Sequence, residues 1–393
     1  MRKQTILVSG LAATYPVGGV FWDYLQYLQG FTRLGNDCYY LEDHGGWTFD
    51  PLQGTFTDDP KANVEALAAH LRALEPGLEK RFCVRDTYDK HWGLSREELA
   101  EVVKRATVFL NVSMTCQLRE EYLGIPVKIL IDSDPLYSQT GVPSYLDGTA
   151  DEKTRRAIDN MRQHDVFFSF GELVGAPDCL VPSEIFDWKP TRQPIVLDAW
   201  ANAAAPKRDV FTTVLSWKPV ESGPVVRGVT YGGKNLEFER FIDLPARTSA
   251  SLELALGGGQ PPRDLLAAKG WQLADGYAMS DTPWRYRDYI LDSQAEFSMA
   301  KNAYVASRSG WFSCRTACYL AAGRPAVVQD TGFSRFMDTG DGVIPFATMD
   351  EAVAGIERIR QDWPKQSEAA LAFAKRYFDS ADVLTRLLRD ASV

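Results

Sequence analysis

Three short stretches of this chain are apolar almost without interruption: residues 5–11 (TILVSGL), 107–114 (TVFLNVSM) and 127–135 (VKILIDSDP). A strand with one wet face alternates apolar and polar residues. A strand apolar on both faces must be covered on both, which is the condition of a parallel sheet sandwiched between helices. The segments between them agree. After the first run comes a loop, then 20–35 (VFWDYLQYLQGFTRLG) with helical spacing and a stop at Gly35, then the strand-like 37–43 (DCYYLED). This β-loop-α-β opening belongs to a doubly wound α/β sheet. Residues 62–74 and 95–106 continue the alternation as helices, the second opened by a capping box of Ser95 and Glu98. Residues 81–86, 165–171 (DVFFSFG) and 194–200 (PIVLDAW) read as further strands.

The chain has 393 residues, more than one ordinary core accommodates. At 199–208 (AWANAAAPKR) it turns small and flexible and ends in Pro-Lys-Arg, after which the strand–helix pattern restarts at 211–217 (FTTVLSW). The expected fold is therefore α/β, with two Rossmann-like doubly wound domains, 1–200 and 208–370, facing a cleft. Residues 366–391 form a helical region at the end of the chain. The net charge of −9 supplies no global attraction to nucleic acid or anionic membrane. Six scattered cysteines with no C-x-x-C pair suit a reducing compartment. No run is long and apolar enough to span a membrane, so a cytoplasmic location is expected.

In open parallel sheets ligands sit beyond the carboxyl ends of the strands. Gly18 and Gly19 occupy that position after the first strand, just ahead of a helix, as an anion or sugar site would require. The spacing is not that of a dinucleotide fingerprint. Asp132 and Asp134 follow the strand 127–131 and are candidate acid/base groups, as is His44 after 37–42, one of only four histidines. In the second half, Lys218 and Lys234 flank the first loop and could clamp a diphosphate. The stretch 307–333 (SRSGWFSCRTACYLAAGRPAVVQDTGF) then combines Gly310, Trp311, Phe312 and a capping Ser313 with an Ala-rich helix carrying Arg315. Free amides and a guanidinium at a helix start suit a phosphate, and the aromatic residues suit a base or the core.

This last stretch resembles the donor-binding signature of group 1 glycosyltransferases of the GT-B fold, with Arg315, Ala321, Gly323, Pro325 and Val327 in the signature's positions. The chain is similar to bacterial glycosyltransferases akin to spore-maturation proteins in 15–26 (YPVGGVFWDYLQ), 131–135 (IDSDP), 308–313 (RSGWFS) and 327–333 (VVQDTGF). The likeness covers nearly the whole length and is strongest from Glu296 to Ile359. It implies transfer of a sugar from a nucleoside-diphosphate sugar, the co-substrate, to an acceptor the sequence does not identify, with no metal cofactor. It implies acceptor binding by 1–200, donor binding by 208–370, and a terminal helix, 371–393, that crosses back to the first domain. Lys218 and Lys234 would hold the diphosphate. The signature's glutamate, which holds the donor ribose, falls on Cys318, which is expected to face the nucleotide. Asp330 or Thr331 would then hold the ribose, with Gly332 beside them at the donor. A sugar-nucleotide epimerase of the same fold, using Asp132 and His44, and an inactive binding module are the alternatives.

Overall fold

The computed structural model describes residues 3–51, 53–201, 205–217 and 223–393. The first half builds one sheet from β1 (Thr5–Ser9), β2 (Asp37–Glu42), β3 (Phe82–Arg85), β4 (His91–Gly93), β5 (Val108–Val112), β6 (Val127–Asp132), β7 (Val166–Ser169) and β8 (Trp188–Pro190). Their order is β8-β7-β6-β5-β1-β2-β3-β4. Every pair is parallel except the edge hairpin β3–β4. The second half builds β9 (Phe211–Ser216), β10 (Leu252–Gly257), β11 (Gln272–Asp275), β12 (Ala295–Ser298), β13 (Ala326–Gln329) and β14 (Val343–Phe346). They run β11-β10-β9-β12-β13-β14, all parallel. The expected doubly wound α/β architecture is what the chain forms.

The apolar runs are buried as their composition requires. Ile6, Leu7, Val8, Phe109, Leu110, Ile129 and Ile131 are fully shielded from solvent. In each sheet the chain winds outward in both directions from its first strand, so β1–β5 and β9–β12 are switch points. Loops leaving neighbouring strands diverge there and open a crevice at the carboxyl ends.

The helix α1 (Gly18–Arg33) lies between the halves. Trp22 Nε1 donates to Pro283 O at 2.9 Å and Gly18 N to Ser280 O at 2.6 Å, both in the second half. A Cβ on Gly18 would sit 2.4 Å from Tyr286 Cβ, so a larger residue would prise the two halves apart here.

Two segments differ from the sequence reading. Residues 194–200 are not a strand. Ile195 exchanges main-chain hydrogen bonds with Phe378 and Ser380, and Leu197–Trp200 is a helical turn. The terminal helix is two helices, Trp363–Phe378 and Ser380–Asp390, separated by Asp379, whose carboxylate caps the second. Leu384 of that second helix packs over Gly30 of α1, and Lys189 Nζ donates to Asp390 O at 2.5 Å. The end of the chain thus rests on the first half. No helix among the described residues is long and apolar enough to cross a membrane.

Candidate active site

A cavity of about 670 Å³ opens between the carboxyl ends of the two sheets. That volume is in the range of small-molecule sites. Its two walls differ in chemistry. All the basic side chains that line it among the described residues, Lys234, Lys301 and Arg315, come from the second half. The first half contributes the acids Asp23 and Asp134, a hairpin with Phe49 and Phe56, and Tyr15.

Arg315 stands on the helix Cys314–Ala321, which Ser313 opens by accepting from Thr316 N. Its Nε donates to Glu296 Oε1 at 2.6 Å, Nη1 to Val214 O at 2.7 Å, and Nη2 to Ser298 Oγ at 2.7 Å. Those three acceptors lie on β12 and β9. The guanidinium is therefore held rigidly at the switch point of the second sheet, with its remaining N–H groups available to the cavity. Lys234 starts the helix Lys234–Glu239. Glu237 of that helix accepts from Gln329 Nε2 at 2.6 Å and Asn302 Nδ2 at 2.7 Å, tying the helix to β13 and to the segment carrying Lys301. The Lys234 ammonium forms no hydrogen bond or ion pair among the described residues. Burial, then Arg315 and Lys301, push its ammonium well below the usual lysine range. An anion placed among these groups would relieve both penalties.

Lys301 Nζ reaches across the cleft and donates to both oxygens of Asp134, at 2.8 and 2.7 Å, and the Tyr304 hydroxyl donates to the same carboxylate. Trp311 packs on Tyr304 with ring centroids 4.3 Å apart, and its Nε1 donates to Ser133 O at 3.0 Å. These contacts latch the halves beside the cavity.

Asp23 faces this cluster from α1. Burial raises its carboxyl to about 7, against the opposing pull of Arg315 and a hydrogen bond from the Cys314 thiol. Below Asp23, Ser113 and Met114 at the end of β5 are consecutive non-glycine residues with φ of 59° and 57°. That conformation costs about 1–3 kcal/mol per residue, and Ser113 lines the cavity.

The structure redistributes the residues singled out in the sequence. Gly19, Asp134, Lys234, Trp311, Ser313 and Arg315 all line the cavity. Lys218 lies outside the described residues. Asp132 does not reach the cavity. It is 2% exposed and accepts from Ser138 Oγ, Gln139 Nε2 and Ser169 Oγ at 2.7–2.8 Å, so its acceptor sites are taken by the fold. His44 is also outside the lining, its Nε2 paired with Thr14 Oγ1 at 2.8 Å and its pKa lowered by burial. The Gly18 amide is already bonded to Ser280 O. Gly310, at φ 72°, accommodates Leu173, whose side chain would lie 2.8 Å from a Cβ there, and does not border the cavity. Phe312 is core, edge to face with Phe333 and tilted against Phe378, with ring centroids at 5.0 and 5.2 Å. Asp330 caps its own turn by accepting from Gly332 N at 2.8 Å, and Thr331 Oγ1 donates to Trp311 O at 2.5 Å, so the three residues 330–332 shape the loop without entering the cavity.

Cys318 is the clearest correction. It is 2% exposed, faces α1 near Gln26, and does not border the cavity. One turn earlier, Cys314 does. A carboxylate at 318 would be desolvated and would face the carboxyl groups of Asp23 and Glu296. Cys318→Glu should therefore cost several kcal/mol of stability and leave nucleotide selectivity unaltered. Chemical denaturation of the variant reads this directly, and an unchanged midpoint would place the side chain in solvent after all.

Asp23, Lys301 and the aromatic residues Phe49 and Phe56 line the cavity but escaped the sequence reading. So did the shelf formed by Gly257, Gly258 and Gly259 at the end of β10, where a Cβ on Gly258 would lie 2.6 Å from Ser216 Oγ. Among the described residues no three His, Cys, Asp or Glu side chains are grouped to hold a metal ion.

With this geometry in hand, the solved structures similar to the chain are informative. An alpha-glucosyltransferase in complex with UDP superimposes with a TM-score of 0.59 at 11% identity, over 99% of each chain. AviGT4, a glycosyltransferase involved in avilamycin A biosynthesis, gives 0.54 at 12% identity, over 98% of this chain and 96% of its own. Anabaena HepE in complex with UDP and glucose gives 0.53 at 11% identity, over 98% and 99%. The chain has the GT-B fold. No protein-family model matches the sequence, and no curated protein is detectably similar to it. At these identities the likeness concerns architecture, and the chemistry must come from the residues themselves.

Proposed function

We propose that this GT-B protein is a glycosyltransferase that moves a sugar from a nucleoside-diphosphate sugar to a hydroxyl acceptor. The observation that carries the reading is the division of the cavity. Lys234, Lys301 and Arg315 stand on one wall, and Asp23, raised to about 7, stands on the other. In the reaction the acceptor oxygen attacks the anomeric carbon. The bond from that carbon to the β-phosphate oxygen breaks, and the electron pair leaves on the diphosphate. Arg315, locked by its three hydrogen bonds, meets that developing charge without rearranging, the arrangement that contributes most to such catalysis, and the diphosphate in turn stabilises the Lys234 ammonium beside it. The acceptor proton passes to the Asp23 carboxylate.

In this reading 208–370 holds the donor and 1–200 the acceptor. Lys218 joins Lys234 at the diphosphate, and the cationic wall takes the place of a metal. UDP is the first nucleotide to test, since the solved relatives named above include complexes with it. The stretches 15–26 and 308–313 support placing the protein among bacterial transferases akin to spore-maturation proteins. Its six free thiols support a cytoplasmic setting. An epimerase would use two acid/base groups beside the sugar, and the pair Asp132 and His44 does not border the cavity.

Incubation with a panel of sugar nucleotides tests the reading. Free nucleoside diphosphate should accumulate from one of them, at the same rate with and without excess EDTA. An isomeric sugar nucleotide would mean an epimerase. Intact donors throughout would mean a binding module, and loss of activity with EDTA would return the charge stabilisation to a metal.

A further inference from the structure

We propose that Tyr15 and Phe56 form the acceptor subsite, and that the acceptor is an uncharged hydroxyl compound presenting a flat apolar face. This rests on the transferase reading and gives it an acceptor class. The first-half wall carries no basic side chain among the described residues, while Asp23 and Asp134 stand on it. Asp134 is neutralised by Lys301, but an anionic acceptor would still meet Asp23 on its own side, with Arg315 and Lys234 across the cavity reserved in this reading for the donor diphosphate. A neutral compound pays neither repulsion nor the desolvation of a second charge.

The aromatic residues supply the attraction. Phe49 is packed between Tyr15, Phe56 and Tyr277, with ring centroids at 6.3, 5.6 and 6.0 Å. Tyr15 and Phe56 meet edge to face at 5.7 Å yet remain 39% and 45% exposed at the cavity mouth. Neither is needed to fill the core. Ring faces carry partial negative charge and attract the C–H face of a sugar ring or the edge of another aromatic ring. Phe49 and Tyr277 come from opposite halves and stack at 24°, so the same cluster spans the cleft. An acceptor seated on Tyr15 and Phe56 would extend a hydroxyl inward toward Asp23. A saccharide and an aromatic alcohol share this chemistry.

Saturation-transfer NMR on the full chain, with and without UDP, tests the proposal with three probes. Methyl β-glucoside represents a neutral sugar, 4-nitrobenzyl alcohol a neutral aromatic alcohol, and methyl β-glucuronide the anionic counterpart of the first. We expect transfer to at least one neutral probe, which identifies the source of the flat face, and none to the glucuronide. Phe56→Ala and, independently, Tyr15→Leu should weaken the neutral signal about three- to tenfold while UDP affinity stays the same. The proposal is overturned if neither neutral probe receives transfer, if the glucuronide matches the glucoside, or if both variants retain full signal. Failure of UDP, dTDP, GDP and ADP alike to bind would instead count against the transferase reading, and the probes would still report on the aromatic wall without them.

Discussion

Asp23→Asn should abolish most turnover and at the same time make the protein harder to unfold above pH 7. The first effect follows from removing the group that accepts the proton, and about 100-fold or more is the scale for a general base. The wild-type rate should rise with pH through about 7, where Asp23 ionises, and the residual rate of the variant should lack that limb. The second effect follows from burial. In the unfolded chain the carboxyl titrates at 3.8, in the native protein at about 7. Between those values the unfolded chain gives up a proton that the native state keeps, so native stability falls as pH rises across the window and levels off above 7. Roughly three pH units correspond to a loss of up to about 4 kcal/mol. Asparagine cannot ionise, so the variant's advantage should be absent near pH 4, grow to pH 7 and then hold. Denaturation midpoints of both proteins at pH 4.5 and 8 measure it. Parallel pH curves would show that Asp23 is not the buried acid described here.

Arg315→Ala and Lys234→Ala should fail in different ways, although both remove a cation from the same wall. Arg315 is the partner of Glu296, which is fully buried and whose Oε2 has no hydrogen-bond partner among the described residues. Removing the guanidinium strands a buried carboxylate, and breaking such a pair from one side costs about 3–5 kcal/mol. The Arg315 variant should thus be severely destabilised before its binding can be read. Arg315→Ala together with Glu296→Gln should recover much of the loss, because the orphaned charge is gone. Lys234 has no such partner, and its ammonium is held in an unfavourable place by burial and like charge. Its removal should leave the fold as stable or more so, and weaken nucleoside-diphosphate binding by roughly 1.5–3 kcal/mol. Equal destabilisation by the two substitutions would mean that Arg315 is not locked to Glu296.

The strands were legible because a strand buried on both faces has no room for alternation, and 5–11, 107–114 and 127–135 announce themselves by composition alone. Residues 194–200 misled for the same reason. They are apolar because they are clamped by α1 and the terminal helices, a burial that has nothing to do with a ladder. The importance of Arg315 was visible in its setting, a long cation among small residues at a helix start. Its partner Glu296 lies on a different strand, and only the fold brings them together. Asp132 and Asp134 looked alike in IDSDP, yet one turns inward to Ser169 and Gln139 and the other outward to Lys301. Two residues of chain decide which is structural. Asp23 was overlooked in GGVFWDYLQYLQG, where a lone acid near the start of an apolar helix was the available signal. Its meaning depends on which wall that helix faces.

The proposed transfer depends on a cationic wall that holds a diphosphate. Calorimetric titration of UDP, dTDP, GDP and ADP into the wild type and into Lys234→Ala tests it most directly. Such a wall predicts saturable one-to-one binding of at least one of the four to the wild type, and about 10- to 100-fold weaker binding of the same nucleotide to a variant that melts no earlier. No binding by any of them, or equal affinity for a folded Lys234→Ala, would contradict it.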